Sequence, residues 1–160
     1  MGTVINVGIS DLNIAKSPDV LATYALGSCV GICLLDKERD VGGLAHIMLP
    51  WSRESTNSSE NFRRYADTGI TELIQTMCMA GAKSNRLVAK IAGGAQMFKT
   101  TSNVFNIGER NVEAVKKVLM TYRITILAED TGDCFGRTLF FDVSSGLMQV
   151  KSAKNKTLIL

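Results

Sequence analysis

Short apolar runs separated by polar segments characterise the first half of the chain. One run covers residues 4–9, and two longer runs, residues 30–35 and 44–49, lie on either side of the polar stretch 36–40. Apolar runs of this length around a polar turn are typical of a β-hairpin. The pattern therefore predicts a pair of antiparallel strands joined at residues 36–40.

Two segments carry apolar side chains at helical spacing, which places them on one face of a helix. The first helix ends near Gly81, and the second begins near Asn106 or Gly108 with Glu109 in its first turn. The buried face of the first is predicted to consist of Ala66, Ile70, Leu73, Ile74 and Met77. The buried face of the second is predicted to consist of Val112, Val115, Val118, Leu119 and Tyr122.

The remaining segments predict further strands and two irregular regions. Strands are expected at residues 87–91, which run into Gly93 and Gly94, at 124–128, and in a closing hairpin with a turn at 144–146. Residues 52–59 indicate an exposed loop, and residues 95–107 have no clear period. Hairpins with two helices interspersed predict an α+β fold. We expect largely antiparallel or mixed sheet layers packed with two main helices, in a single domain over residues 1–160.

Composition and charge narrow the class of protein. The chain has 160 residues, of which 46% are hydrophobic and 21% charged, as in one soluble globular domain. Its net charge of +3 comes from 18 basic and 15 acidic residues without blocks of like charge, which argues against a nucleic-acid partner. The lysines of the tail, Lys151, Lys154 and Lys156, indicate a solvated segment. Because no apolar stretch approaches the roughly 20 residues of a membrane span and no secretory signal is present, a cytoplasmic protein that is not inserted in a membrane is expected.

Four cysteines, Cys29, Cys33, Cys78 and Cys134, should stay reduced in that compartment. The last three are interpreted as core or incidental residues. A structural zinc site needs four ligands, usually in close pairs, and the cysteines do not have that spacing. The Gly93 and Gly94 pair lacks the spacing of a phosphate-binding loop and indicates a tight turn or close packing. No metal and no cofactor is expected.

His46 is the only histidine, so any mechanism that needs imidazole as a base at neutral pH must use it. If the hairpin turns about Lys37 and Glu38, Cys29 lies directly opposite His46, with Cβ atoms about 5 Å apart. Imidazole next to a thiol lowers the thiol pKa and creates a nucleophile. The residues therefore make Cys29 a candidate nucleophile with His46 as its base, while a buried core thiol is the alternative interpretation of Cys29.

Two further roles follow from this pair. Gly27 and Ser28 precede Cys29 and allow a tight approach that leaves backbone N–H groups free for an oxyanion hole. A third group must accept the second N–H of the imidazole. Thr23 is the candidate, although Ser28, Asp36 and Asp40 are alternatives that the residues themselves leave open.

Several motifs together resemble the CheD-type chemoreceptor glutamine deamidases. The first two are Leu26-Gly27-Ser28-Cys29-Val30 and His46-Ile47-Met48-Leu49-Pro50. The likeness continues through Arg64-Tyr65-Ala66-Asp67, Lys90-Ile91-Ala92-Gly93-Gly94-Ala95-Gln96-Met97, Ile107-Gly108-Glu109-Arg110-Asn111 and Gly136-Arg137. It covers nearly the whole chain, with one departure at Asp130-Thr131-Gly132, where the family often has a glycine pair.

The resemblance implies a function and a choice among the alternatives for the third group. Cys29, His46 and Thr23 would convert receptor glutamines to glutamates through a thioester, and methyl glutamates would be hydrolysed by the same route. The substrate would be the cytoplasmic domain of a methyl-accepting chemoreceptor. A chemotaxis phosphatase of the CheC type would be a regulatory partner.

Two other functions compete with this interpretation. The first is a non-catalytic binding module that regulates a CheC-type phosphatase. The second is a thiol hydrolase with another substrate, such as a peptidase or an acyltransferase. The presence of Cys29, His46 and Thr23 together argues against pure binding.

Overall fold

The structure is a computed structural model that describes residues 2–56, 61–97, 106–154 and 156–160. Most of the segment predicted to be irregular, and the end of the loop predicted at 52–59, lie outside the described residues. The strands are β1 (Val4–Asn6), β2 (Leu12–Lys16), β3 (Val20–Leu26), β4 (Val30–Asp36), β5 (Val41–Ile47), β6 (Val88–Gly93), β7 (Thr125–Thr131), β8 (Arg137–Asp142), β9 (Met148–Ser152) and β10 (Thr157–Ile159). The α-helices are α1 (Ala66–Met79) and α2 (Ile107–Thr121).

The strands form two mixed sheets of five strands each. One sheet, which we call the outer sheet, has the order β1-β3-β8-β9-β10, and the other, the inner sheet, has the order β2-β5-β4-β6-β7. The pairs β1 with β3 and β6 with β7 are parallel, and the remaining pairs are antiparallel. The α+β class with antiparallel and mixed layers is thus confirmed.

Alternation along β4 and β5 gives the inner sheet two buried faces. Val30, Ile32 and Leu34 point to the helices and share a cluster with the apolar stripes of α1 and α2. Cys33 and Leu35 point the other way and pack against side chains of the outer sheet. The molecule is therefore layered as helices, inner sheet and outer sheet, and the inner sheet is covered on both sides.

A buried carboxylate fixes the end of the β4–β5 hairpin. Asp36 is fully buried and accepts hydrogen bonds from the Arg86 guanidinium at 2.9 Å and from the backbone N–H groups of Lys83 and Arg39 at 2.9 and 3.3 Å. Asp36 consequently belongs to β4, where it pairs with Val41 of β5. The turn is shifted toward the C-terminus relative to the turn predicted at Lys37 and Glu38.

The structure confirms the helices and hairpins and adds strands that the pattern did not indicate. Helix α2 buries Val115, Val118 and Leu119 as predicted, but Tyr122 caps the helix and remains 39% exposed. Strands β2 and β3 were not predicted. The tail lysines Lys151, Lys154 and Lys156 are exposed, as predicted for a solvated segment. The residues that follow them form β10, which was not predicted and which pairs with β9 at the edge of the outer sheet.

Candidate active site

The clearest contact at the site joins the two sheets. Thr23 of β3 and His46 of β5 are both fully buried, and Thr23 Oγ1 lies 2.7 Å from His46 Nδ1. The same hydroxyl donates its proton to the carbonyl oxygen of Val7 at 2.7 Å. Since a threonine hydroxyl has one proton, its oxygen must accept the proton of Nδ1. The neutral imidazole is therefore the tautomer with Nδ1 protonated and Nε2 free to accept a proton.

The free nitrogen of His46 lies in an apolar environment. Nε2 is buried and forms no hydrogen bond with any residue that the structure describes. Burial disfavours the charged imidazolium and lowers the pKa of His46 from 6.5 to about 4. At neutral pH the side chain is therefore uncharged, and the lone pair of Nε2 is free to accept a proton.

Cys29 immediately precedes β4 and faces the same layer as His46. It is partly buried and packs against the apolar cluster between the sheets. Burial raises the pKa of the Cys29 thiol, whereas its own backbone N–H acts in the opposite direction and lowers it. At rest the thiol keeps its proton, so the structure contains an uncharged thiol and an uncharged imidazole rather than an ion pair.

The predicted strand register was wrong by two residues. His46 pairs with Gly31 and Val30 with Ile47, so Cys29 lies diagonal to His46 rather than opposite it. The reason is the later turn fixed by Asp36. Because side chains alternate with a period of two, a shift of two residues keeps Cys29 and His46 on the same face. Cys29 itself lies just outside the paired residues of β4, because the pairing with β5 ends at Val30 and Ile47.

A pair of glycines allows the backbone at Cys29 to lie close to β6. Gly93 has φ +114°, and a Cβ atom there would lie 2.2 Å from the carbonyl oxygen of Cys29. Gly94 has φ +68°, and its N–H donates to that same carbonyl at 2.8 Å. Glycine at these positions is required by both the positive φ and the close approach. The prediction of close packing at this pair is confirmed.

The backbone N–H groups near Cys29 differ in whether they already donate to a carbonyl oxygen. Gly27 N–H donates to the Ala25 carbonyl at 3.1 Å and is thus occupied. Among the described residues, the N–H groups of Ser28 and Cys29 donate to no backbone carbonyl, and that of Cys29 interacts with its own thiol. The candidate donors for an oxyanion are therefore those of Ser28 and Cys29, while a Cβ atom at Gly27 would approach the Met97 side chain to 3.2 Å.

One buried polar side chain at the site was not assigned a role from the sequence. Asn111 of α2 is fully buried, and its Nδ2 donates to the carbonyl oxygens of Ser28 and Met48, both at 2.9 Å. A signal was present, because Asn111 lies four and seven residues before Val115 and Val118 in the apolar stripe. A polar residue in such a stripe usually has buried partners.

The other cysteines are separate from this arrangement. Cys33 is buried in the apolar layer, where burial raises its pKa strongly, and Cys78 and Cys134 are exposed. Among the described residues, no group of three or more His, Cys, Asp or Glu side chains has the geometry of a metal site. In the same part of the chain, no helix combines the length and apolar content needed to cross a membrane.

A thiol and an imidazole of fixed tautomer share the layer between the sheets of this α+β domain, an arrangement typical of proteins that use cysteine as a nucleophile. Comparison of sequences is more specific. The profile of the family described as CheD chemotactic sensory transduction matches residues 48–152. The chain belongs to this CheD family.

The similarity to curated relatives continues beyond both ends of the profile match. The probable chemoreceptor glutamine deamidase CheD of Lachnoclostridium phytofermentans is 50% identical over 154 residues, covering 95% of each chain. The chemoreceptor glutamine deamidase CheD of Bacillus subtilis is 44% identical, covering 94% of this chain and 92% of that protein. These alignments are long enough to include the region of Cys29 and His46, which precedes the profile match.

A solved structure supports the fold independently. The crystal structure of a Neisseria meningitidis protein of the DUF152 family superposes with a TM-score of 0.53 at 10% identity. The superposition covers 83% of this chain and 64% of that one. At this level of identity the likeness shows the fold alone.

Proposed function

We propose that this protein is a protein-glutamine deamidase that acts on chemoreceptors, with Cys29 as nucleophile, His46 as base and Thr23 as the residue that orients the imidazole. The observation that carries the proposal is the pair of hydrogen bonds made by the Thr23 hydroxyl. The hydroxyl donates its only proton to the Val7 carbonyl oxygen, so its oxygen accepts the proton of His46 Nδ1. That arrangement leaves Nε2 as the base, on the face of the sheet that Cys29 shares. Membership of the CheD family supports the same activity.

In the first half of the reaction, the thiol of Cys29 attacks the carboxamide carbon of a glutamine side chain. A bond forms between sulfur and carbon while the thiol proton passes to His46 Nε2. The tetrahedral intermediate then expels its nitrogen as ammonia, which takes the proton from Nε2. A thioester between Cys29 and the substrate remains.

In the second half, His46 Nε2 accepts a proton from a water molecule that attacks the thioester. The bond between carbon and sulfur breaks, and the proton returns to Cys29, which releases a glutamate. A methyl glutamate would follow the same path with methanol as the leaving group. No step requires a metal or a cofactor.

The backbone of the cysteine loop has donors that suit the charged intermediate. The backbone N–H groups of Ser28 and Cys29 adjoin the attacking sulfur, and they are the proposed donors to the developing oxyanion. Such donors are worth a few kcal/mol of transition-state stabilisation, about 3 kcal/mol for one donor. Apo sites often have long contacts that tighten only with substrate, which fits a free Nε2 at rest.

Membership of the family supports a proposal for the substrate and the setting. We infer that the substrate is the cytoplasmic domain of a methyl-accepting chemoreceptor and that the protein works in the cytoplasm. The names of the curated relatives support the chemoreceptor as substrate. A CheC-type phosphatase as a regulatory partner stays a prediction.

Mass spectrometry of a purified receptor cytoplasmic domain tests the proposal directly. Incubation with the wild-type protein should add about 1 Da at each converted glutamine, since an amide NH₂ is replaced by OH. Cys29→Ala should abolish the change, and Cys78→Ala, at an exposed cysteine on α1, should retain it. Conversion by Cys29→Ala would refute the nucleophile, and no conversion by folded wild-type protein would favour the binding module.

A further inference from the structure

Asn111 occupies the point at which β4 and β5 separate. The pairing of these strands ends at Val30 and Ile47, and the following residue, Met48, donates its N–H to the Arg64 carbonyl instead. Asn111 Nδ2 bridges the carbonyl oxygens of Ser28 and Met48 across this separation. The bridge thus ties the residue before Cys29 to the residue two positions after His46.

The orientation of the Asn111 amide is fixed by chemistry. Only the NH₂ group can donate to two carbonyl oxygens, so Oδ1 must point away from them. Oδ1 is buried and has no partner among the described residues. A buried acceptor without a partner costs about 1–3 kcal/mol.

The helix that carries Asn111 is itself held firmly against the site. Gly108 lies so close to the turn after β6 that a Cβ atom there would be 2.3 Å from the Ala95 carbonyl oxygen and 2.7 Å from that of Gly94. Gly94 in turn donates to the Cys29 carbonyl. The first turns of α2 therefore form a fixed support from which Asn111 reaches both strands.

We infer that Asn111 is a positioning residue, which sets the separation of Cys29 and His46 by bridging the Ser28 and Met48 carbonyl oxygens. The inference rests on the proposed function for its catalytic consequence. The residue acts through the two strand ends and does not touch the substrate. Displacements of about 1 Å can lower rates by about 100-fold, so the bridge matters for the proton transfer between thiol and imidazole.

The first readout is steady-state kinetics with the full-length protein and a receptor cytoplasmic domain. Asn111→Ala should lower kcat by about 100-fold and leave KM within about threefold, because substrate contacts are retained. Val115→Ala, one turn further along the same helix and also fully buried, is the matched control for lost packing. It should leave kcat within about threefold of wild type.

The second readout needs no substrate and measures the coupling of the two side chains. Iodoacetamide labelling of Cys29 at neutral pH should be slowed by His46→Ala in the wild-type background, because His46 assists removal of the thiol proton. In the Asn111→Ala background His46→Ala should have almost no further effect, while in the Val115→Ala background its full effect should remain. Multiplicative effects of Asn111→Ala and His46→Ala would overturn the inference.

A second variant keeps the test decisive if Asn111→Ala does not fold. Asn111→Ser retains one donor in a smaller side chain, too short to bridge both carbonyl oxygens, and should show the same fall in kcat and the same loss of coupling. A kcat within about threefold of Val115→Ala overturns the inference for whichever variant folds. If wild type does not deamidate the receptor, the proposed function fails, and the labelling cycle still decides the role of Asn111.

Discussion

Thr23 shows how one hydroxyl group determines the chemistry of a neighbour. The hydroxyl donates its single proton to the Val7 carbonyl oxygen, so it can only accept a hydrogen bond from His46. An aspartate would hold the imidazole in the same tautomer but would also stabilise the imidazolium by its charge. A neutral acceptor leaves the histidine uncharged, which suits a buried base.

Substitution of Thr23 tests this role. Thr23→Val keeps the shape but removes the acceptor, so the imidazole loses its preferred tautomer and kcat should fall by about 100-fold. Thr23→Ser retains the hydroxyl and should keep most of the activity. Receptor deamidation rates for both variants give the answer, and equal rates for Thr23→Val and Thr23→Ser would contradict the assignment.

Burial of His46 predicts an unusual acid limit for activity. The pKa of His46 is lowered to about 4, so the base form is present above that pH and is lost as the pH falls through it. The His46-dependent labelling of Cys29 should therefore stay nearly constant from neutral pH down to about pH 5. Labelling rates corrected for the folded fraction check this, and a limb near the ordinary value of 6.5 would show that His46 is more solvated than the structure indicates.

At the scale of elements, the end of β6 and the start of β4 depend on each other. Gly93 combines a positive φ with a distance of 2.2 Å from a built Cβ atom to the Cys29 carbonyl oxygen. A side chain there would push the cysteine away from β6. Cys29, the proposed nucleophile, is thus positioned by a neighbouring strand as well as by its own loop.

Two glycine variants separate backbone strain from this close approach. Gly93→Ala should lower the free energy of unfolding by about 1–3 kcal/mol more than Gly81→Ala, because the added Cβ overlaps backbone atoms. Gly81 has φ +106° and no atom within 4 Å of a built Cβ, so it reports strain alone. Chemical denaturation gives both values. Equal losses would mean that the contact with Cys29 is relaxed at little cost.

The elements also show where local pattern was informative. Periodic apolar positions predicted α1 and the core-facing part of α2, and apolar runs around polar turns predicted the hairpins β4–β5 and β8–β9. Strands β2, β3 and β10 were missed, because their sequences lack clear alternation and they gain stability from partners distant in the chain. The register of β4 and β5 was missed for a similar reason, since Asp36 is held by Arg86, 50 residues away.

At the scale of the whole molecule, the candidate triad lies at the interface between the two sheets. His46 belongs to the inner sheet, Cys29 immediately precedes strand β4 of that sheet, and Thr23 belongs to the outer sheet. The contact between Thr23 and His46 therefore exists only when the two sheets are packed. Formation of the proposed catalytic base therefore depends on the packing of the two sheets.

This coupling predicts a pH-dependent stability. The unfolded chain protonates His46 near 6.5, whereas the folded protein resists protonation down to about 4. Stability contributed by the uncharged histidine is fully present above pH 6.5 and is lost as the pH falls toward 4, by about 3 kcal/mol. His46→Gln has no such titrating group and should not show this loss of stability. The midpoints of thermal unfolding of the two proteins should therefore diverge as the pH is lowered from 6.5 to 4. Parallel curves would show that His46 is not buried as an uncharged base.

The sequence by itself determined which side chains were available for chemistry. A single histidine, a cysteine after Gly27 and Ser28, and the resemblance in ordered motifs were enough to select Cys29, His46 and Thr23. The residues alone did not choose Thr23 over Ser28, Asp36 or Asp40, because the contact spans two sheets and 23 residues of chain. Only the tertiary structure decided the direction of the Thr23 hydrogen bonds, the register that places Cys29 diagonal to His46, and the bridge made by Asn111. These features depend on distances between segments that lie far apart in the chain, and local propensity and periodicity carry no information about such distances.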